Sequence, residues 1–225
     1  SPTILAYVVD DVDLVGGSLE VLATEDVVTT TFEDFAIASN AGDRVDDGTL
    51  DIHLLPSETE NTLLVGEETV HALLNIDGEP KVITTRDDDI VEAATTKYRE
   101  QFNKAAAYTF KTPSRSTVQR TLRDVLGDKF ETDFTAVIDR LDYVRDDTDV
   151  VTVALLVTAR HNEQFYQVAK WAETAGVASK STFSRRRTAL EEEGILSTEK
   201  MKLEVGRPRL ELQIADEAAV ESIIG

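Results

Sequence analysis

Arg185, Arg186 and Arg187 stand in a row behind Ser181, Thr182 and Ser184, in the stretch STFSRRR of a 225-residue chain whose formal net charge is −20. A guanidinium is planar, permanently charged and carries its N–H donors in a fork that matches carboxylate and phosphate oxygens. Small hydroxyl residues ahead of it let a helix N-terminus come close to an anion, where free N–H groups and the helix dipole attract negative charge. The three arginines cannot share one role. At about 100° per residue, with Phe183 taken as the inward reference, Arg185 falls at about 200°, Arg186 at about 300° and Arg187 at about 40°. Arg185 points outward with Ser181 and Thr188, while the other two flank the apolar stripe and must run their stems along the surface.

Other residues with chemical potential are arranged less informatively. His53, His71 and His161 are the chain's three histidines, and none forms an HxxxH or HxH pair, so each reads as a strand or helix residue. Gly16-Gly17-Ser18 has no lysine at P-loop spacing. Asp87-Asp88-Asp89 reads as a helix start, and the chain has no cysteine for thiolate ligation or disulfides. No catalytic constellation, cofactor site or metal site is expected, and an enzyme is not the reading the residues favour.

Charge is distributed unevenly. Residues 1–149 hold 13 Lys or Arg against 32 Asp or Glu, whereas residues 150–225 hold 10 against 11. Between Gly176 and Leu210 the balance reverses to 8 basic against 5 acidic residues. An acidic body with a local basic segment suggests a nucleic-acid contact there. The dispersed acidic excess, scarce lysine and absent cysteine also predict a halophilic protein. No segment has the length and apolarity of a membrane helix or the pattern of a signal peptide, so a soluble, cytoplasmic protein is expected.

The elements that must position STFSRRR are legible around it. VVTVALLVTARH is apolar all round and predicts a buried helix; NEQFYQVAKWAETAG predicts a second, stopped by Gly176; VASKSTFSRRRTALEEEG predicts a third, capped by Ser179 and ended by Gly194. ILSTEKMKLEV and RLELQIA then read as a β-hairpin around Gly206-Arg207-Pro208. Helix, helix, turn, helix, hairpin is the order of a winged helix-turn-helix. Upstream, a strand at Leu19–Ala23, one helix over 25–45, four β-prone runs between 48 and 85, and a long helix from Arg86 to Tyr108 predict a mixed α/β part. Helices follow over SRSTVQRTLRDVLG and ETDFTAVIDRLDYV. The expected fold is α+β: a regulatory α/β domain over 1–112, connecting or dimerisation helices over 113–145, and a winged helix-turn-helix over 146–225.

On that frame the basic and hydroxyl residues become candidate DNA contacts. Arg185 is placed at a base edge, where its fork can bind guanine O6 and N7. Ser179, Lys180, Ser181, Thr182 and Ser184 are placed at phosphates or bases, and Arg186 at a phosphate. Arg187 is assigned to the fold, paired with Glu191 four residues on. Arg207 stands at the tip of the wing for a minor-groove or phosphate contact, with Lys200, Lys202 and Arg209 beside it. Arg115, Arg120 and Arg123 form a second basic helix, read as packing or dimerisation surface because Asp124 and Asp128 lie close by.

The C-terminal third, through ASKSTFSR, LEEEGIL, STEK and VGRPRL, closely resembles haloarchaeal winged-helix transcription regulators of the TbsP type, associated with TrmB-linked control of central carbon metabolism. The N-terminal part, with LLVGEETVHALLNIDG and the long helix after TTRDDD, looks like the same family's upstream domain and is similar to the phospholipase D-like regulatory domain of TrmB-type regulators. It lacks the HxK element of phospholipase D catalysis: His53 is followed by Leu54-Leu55 and His71 by Ala72-Leu73. The resemblance implies a homodimeric, sequence-specific regulator that binds double-stranded operator DNA and whose first domain senses a small metabolite or mediates assembly. The alternative is an interaction or effector-binding module whose winged helix binds a protein, since fold alone does not establish function.

Overall fold

The computed structural model describes residues 2–10, 17–57, 62–76, 79–141, 148–201 and 209–224. The chain divides into two compact units, Ser1–Glu33 with Arg44–Thr109, and Asp34–Asp43 with Phe110–Gly225. Helices and strands are mixed throughout, as an α+β fold requires. No described helix is long and apolar enough to cross a membrane.

The first unit contains α1 (Pro2–Asp10), β1 (Leu19–Thr24), α2 (Glu25–Thr31), β2 (Leu50–Leu55), β3 (Thr62–Val65), β4 (Val70–Ile76), β5 (Glu79–Thr85), α4 (Asp88–Lys104) and β6 (Ala106–Ala107); α3 (Phe35–Asp46) straddles the division. The four β-prone runs do not form one sheet. β2 lies parallel to β1, from Leu19 opposite Leu50 to Thr24 opposite Leu55, while β3, β4 and β5 make a separate antiparallel meander. His53 fastens β2 to the end of α4: its Nδ1–H donates to the Phe102 carbonyl at 2.8 Å and its ring stacks on Phe102 at 3.9 Å.

Two helices differ from the sequence expectation. The single helix expected over 25–45 is broken, because the β-branched run Thr29-Thr30-Thr31 suits a helix poorly and Thr31 bonds back to the Val27 carbonyl at 2.7 Å. Asp34 then starts α3 afresh by accepting from the N–H groups of Ala36 and Ile37 at 2.8 and 3.1 Å. The long helix α4 begins at its Asp87 cap as its acidic start implies, yet ends at Lys104 rather than Tyr108. Ala106 and Ala107 favour helix intrinsically, but strand pairing with Leu54 and His53 overrides that preference.

The second unit contains α5 (Arg115–Leu126), α6 (Asp128–Arg140), α7 (Val150–Arg160), α8 (Phe165–Ala175), α9 (Lys180–Glu192), β7 (Leu196–Met201), β8 (Arg209–Ile214) and α10 (Glu217–Ile224). Its core gathers residues from every one of these helices, with Phe130, Leu155, Leu156, Phe183, Leu190 and Leu212 at 0–1% exposure. Each such side chain contributes about 1.5–3 kcal/mol through burial. α7 is buried from Val151 to Ala159, and Asp149 caps it by accepting from the N–H groups of Val151 and Thr152. α5 and α6 pack behind α8: Trp171 is buried and donates its indole N–H to the Thr121 hydroxyl at 3.0 Å. α10, which the sequence pattern did not announce, buries Val220 and Ile224 in the same core.

Candidate nucleic-acid interface

The turn between α8 and α9 is set by Gly176, at φ 79°, a left-handed conformation that only glycine adopts readily. There the N–H groups of Gly176, Val177 and Ala178 converge on the Ala172 carbonyl, which closes α8 and frees the chain to restart. Ser179 caps α9 by accepting from the Thr182 N–H at 3.1 Å, and its Oγ lies 2.7 Å from Ser181 Oγ and 2.9 Å from Thr182 Oγ1. Phe183 and Leu190 pin the inner face of α9 into the core. The outer face carries Ser181, Arg185, Thr188 and Glu192, all exposed at helical spacing.

The wing is a hairpin of β7 and β8 with Leu196 opposite Ile214 and Met201 opposite Arg209. A bridge between Gln164 and Glu211 adds the residue before α8 to its edge. Because same-face neighbours across an antiparallel pair lie diagonally two residues apart, that bridge sets Gln164 beside Arg209. The Arg209 guanidinium donates to Gln164 Oε1 at 2.8 Å and lies 5.3 Å from the Tyr166 ring centre. Lys200 is exposed on β7. Lys202 and Arg207, with the Gly206 and Pro208 that flank the wing tip, lie outside the described residues.

The three arginines part company as helical phase requires. Arg185 is exposed and makes no hydrogen bond, ion pair or ring contact among the described residues. Arg186 turns toward the start of α7: its Nε–H donates to Thr152 Oγ1 at 2.7 Å, and its guanidinium lies 3.9 Å from Asp149 and 3.6 Å from Glu193. Thr152 in turn donates to Asp149 at 2.8 Å, so the cap of α7 and the side of α9 form one network. Arg187 lies over the Phe165 ring at 4.7 Å and 3.7 Å from Glu191. Arg186→Met is therefore expected to lower unfolding free energy by about 1–2 kcal/mol, since hydrogen bonds to charged groups exceed neutral ones. Arg185→Met should leave it within about 0.5 kcal/mol, as exposed substitutions do. Denaturant titration of the two variants checks the contrast.

Lys180 is exposed and ion-paired with Glu173 of α8, while Ser181 is exposed and Thr182 and Ser184 are half-buried. In the rival basic helix, Arg115 pairs with Asp139 and Arg123 with Asp128 and the buried Glu131, which leaves Arg120 exposed. His161 faces Asp133 at 3.1 Å, and His71 lies between Thr69 and Thr84. The sequence pattern did not single out Asp149, Thr152, Gln164 or Tyr166. A sequence signal existed for one of them: Tyr166 is an aromatic residue on the polar side of an amphipathic helix, and it is 48% exposed.

Comparison with known proteins agrees with this arrangement. Residues 1–113 match the family model described as transcriptional regulator TbsP-like, N-terminal, and residues 114–223 match transcriptional regulator TbsP-like, C-terminal HTH domain. No curated protein and no solved structure gives a significant match. With the two family models together covering residues 1–223, the chain belongs to the TbsP-like family of transcriptional regulators and binds DNA through its C-terminal helix-turn-helix.

Proposed function

We propose that this regulator binds a pseudo-palindromic operator as a homodimer, inserting α9 into the major groove with Arg185 at a guanine edge and the wing, including Arg207, at the minor groove or phosphates. The observation that carries the reading is the outward guanidinium of Arg185, unpartnered among the described residues, beside two arginines engaged within the fold. A charged fork with no partner among the described residues is available for a bidentate pair with guanine O6 and N7. Ser181, Thr182 and Lys180 at the helix start supply phosphate contacts that fix register. The part over 1–112 acts as the regulatory domain, responding to a small metabolite, and the regulated genes are metabolic. The large acidic excess suits concentrated salt, where counterion release gives little driving force and groove fit must supply more of the affinity.

Selection of duplexes from a random-sequence library in concentrated potassium chloride, followed by anisotropy titration of the winners, tests this reading. Enrichment of two inverted half-sites about one helical turn apart, roughly 34 Å, is the expected result. Recovery of no enriched sequence overturns it.

A further inference from the structure

α8 carries an exposed polar stripe that neither the recognition helix nor the wing accounts for. Relative to Tyr166, Lys170 lies about 40° and Glu173 about 340° round the helix, so the three share one face. All are exposed. Contacts fix both ends of the stripe: Arg209, in the described pair of the hairpin nearest its tip, lies over the Tyr166 ring, and Lys180 at the start of α9 pairs with Glu173. The stripe thus runs from the wing to the N-terminus of the recognition helix. Lys170, at its middle, makes no hydrogen bond or ion pair among the described residues.

We propose that this stripe is a phosphate track: Tyr166 and Lys170 contact the backbone of one DNA strand between the points held by the wing and by α9. The inference rests on the DNA-binding reading above. A phenolic O–H and an ammonium both donate to phosphate oxygens, and neither reads sequence. Gln164 positions Arg209 for the same backbone by holding one arm of its fork, the others having no hydrogen bond among the described residues. Glu173 opposes the track. Its carboxylate occupies Lys180 in the free protein, so a phosphate must displace it before Lys180 can engage.

The test is anisotropy titration of the full chain against a fluorescein-labelled random-sequence duplex over a series of potassium chloride concentrations. Lys170→Gln is expected to weaken binding several-fold and to reduce the slope of log affinity against log salt by about 1, the signature of one lost phosphate contact. Tyr166→Phe should weaken binding about two- to tenfold, the range for one hydrogen bond. Glu173→Gln should strengthen binding to all sequences alike. Lys129→Gln, which removes a lysine from α6, controls for net charge. The inference is overturned if Lys170→Gln and Tyr166→Phe bind as the wild type does, or if Lys129→Gln lowers the slope equally. A wild type that binds no duplex overturns both this inference and the DNA-binding reading. A wild type whose sequence preference depends on Arg185, but whose random-duplex affinity ignores Lys170 and Tyr166, overturns this inference alone.

Discussion

Arg185→Ala lowers affinity for the selected operator by about 10- to 100-fold, because a bidentate arginine–guanine pair supplies about 1–3 kcal/mol of discrimination. Affinity for random duplex falls far less. The difference arises because the bidentate pair forms only where a guanine edge meets the fork, while removing Arg185 breaks no contact in the free protein among the described residues. Competitive anisotropy with operator and random duplex measures both quantities on one sample. Equal losses on the two duplexes would reassign Arg185 from reading bases to neutralising phosphates.

Phe183→Ala lowers unfolding free energy by about 3–5 kcal/mol, the range for removing a buried aromatic ring and leaving its cavity. Phe183 is fully buried and fixes the inner face of α9. Against a total stability of about 5–15 kcal/mol for a domain, that loss approaches unfolding. Phe183→Leu, which keeps most of the volume, should cost about 1.5 kcal/mol or less. Urea titration followed by the fluorescence of Trp171, the chain's single tryptophan, gives both values. A loss under about 1 kcal/mol for the alanine variant would mean that α9 is not anchored by this ring.

Local signals carried much of the winged helix. Gly176 and Gly194 both take positive φ, Ser179 caps α9, and the apolar stripe of Phe183 and Leu190 is buried, each as short-range pattern indicates. Helical phase also separated Arg185 from its neighbours. It could not name what holds Arg186, because Thr152 lies 34 residues away and only the packing of α7 against α9 brings it close. Arg187 shows the same limit: its near partner Glu191 follows from i,i+4 spacing, but the Phe165 ring is a tertiary contact. In the first unit the errors fell where local and long-range preferences compete. Ala106 and Ala107 are intrinsic helix formers drawn into a strand by β2, and a β-branched run divides what apolar periodicity alone would join. Sheet membership was likewise illegible, since β2 pairs with a strand about thirty residues earlier, Leu50 opposite Leu19, and not with the hairpin that follows it.

The central claim is that one arginine of the three reads a guanine while its neighbours are held within the fold. Replacing each guanine of the selected operator in turn by 7-deazaguanine removes the N7 acceptor without changing the backbone. At one guanine of each half-site the substitution should weaken the wild type by about two- to tenfold, the range for one hydrogen bond. The same duplex should bind Arg185→Ala no more weakly than the unmodified operator does. Equal weakening of wild type and variant at every guanine, or of neither, would contradict the assignment of Arg185 as the reader.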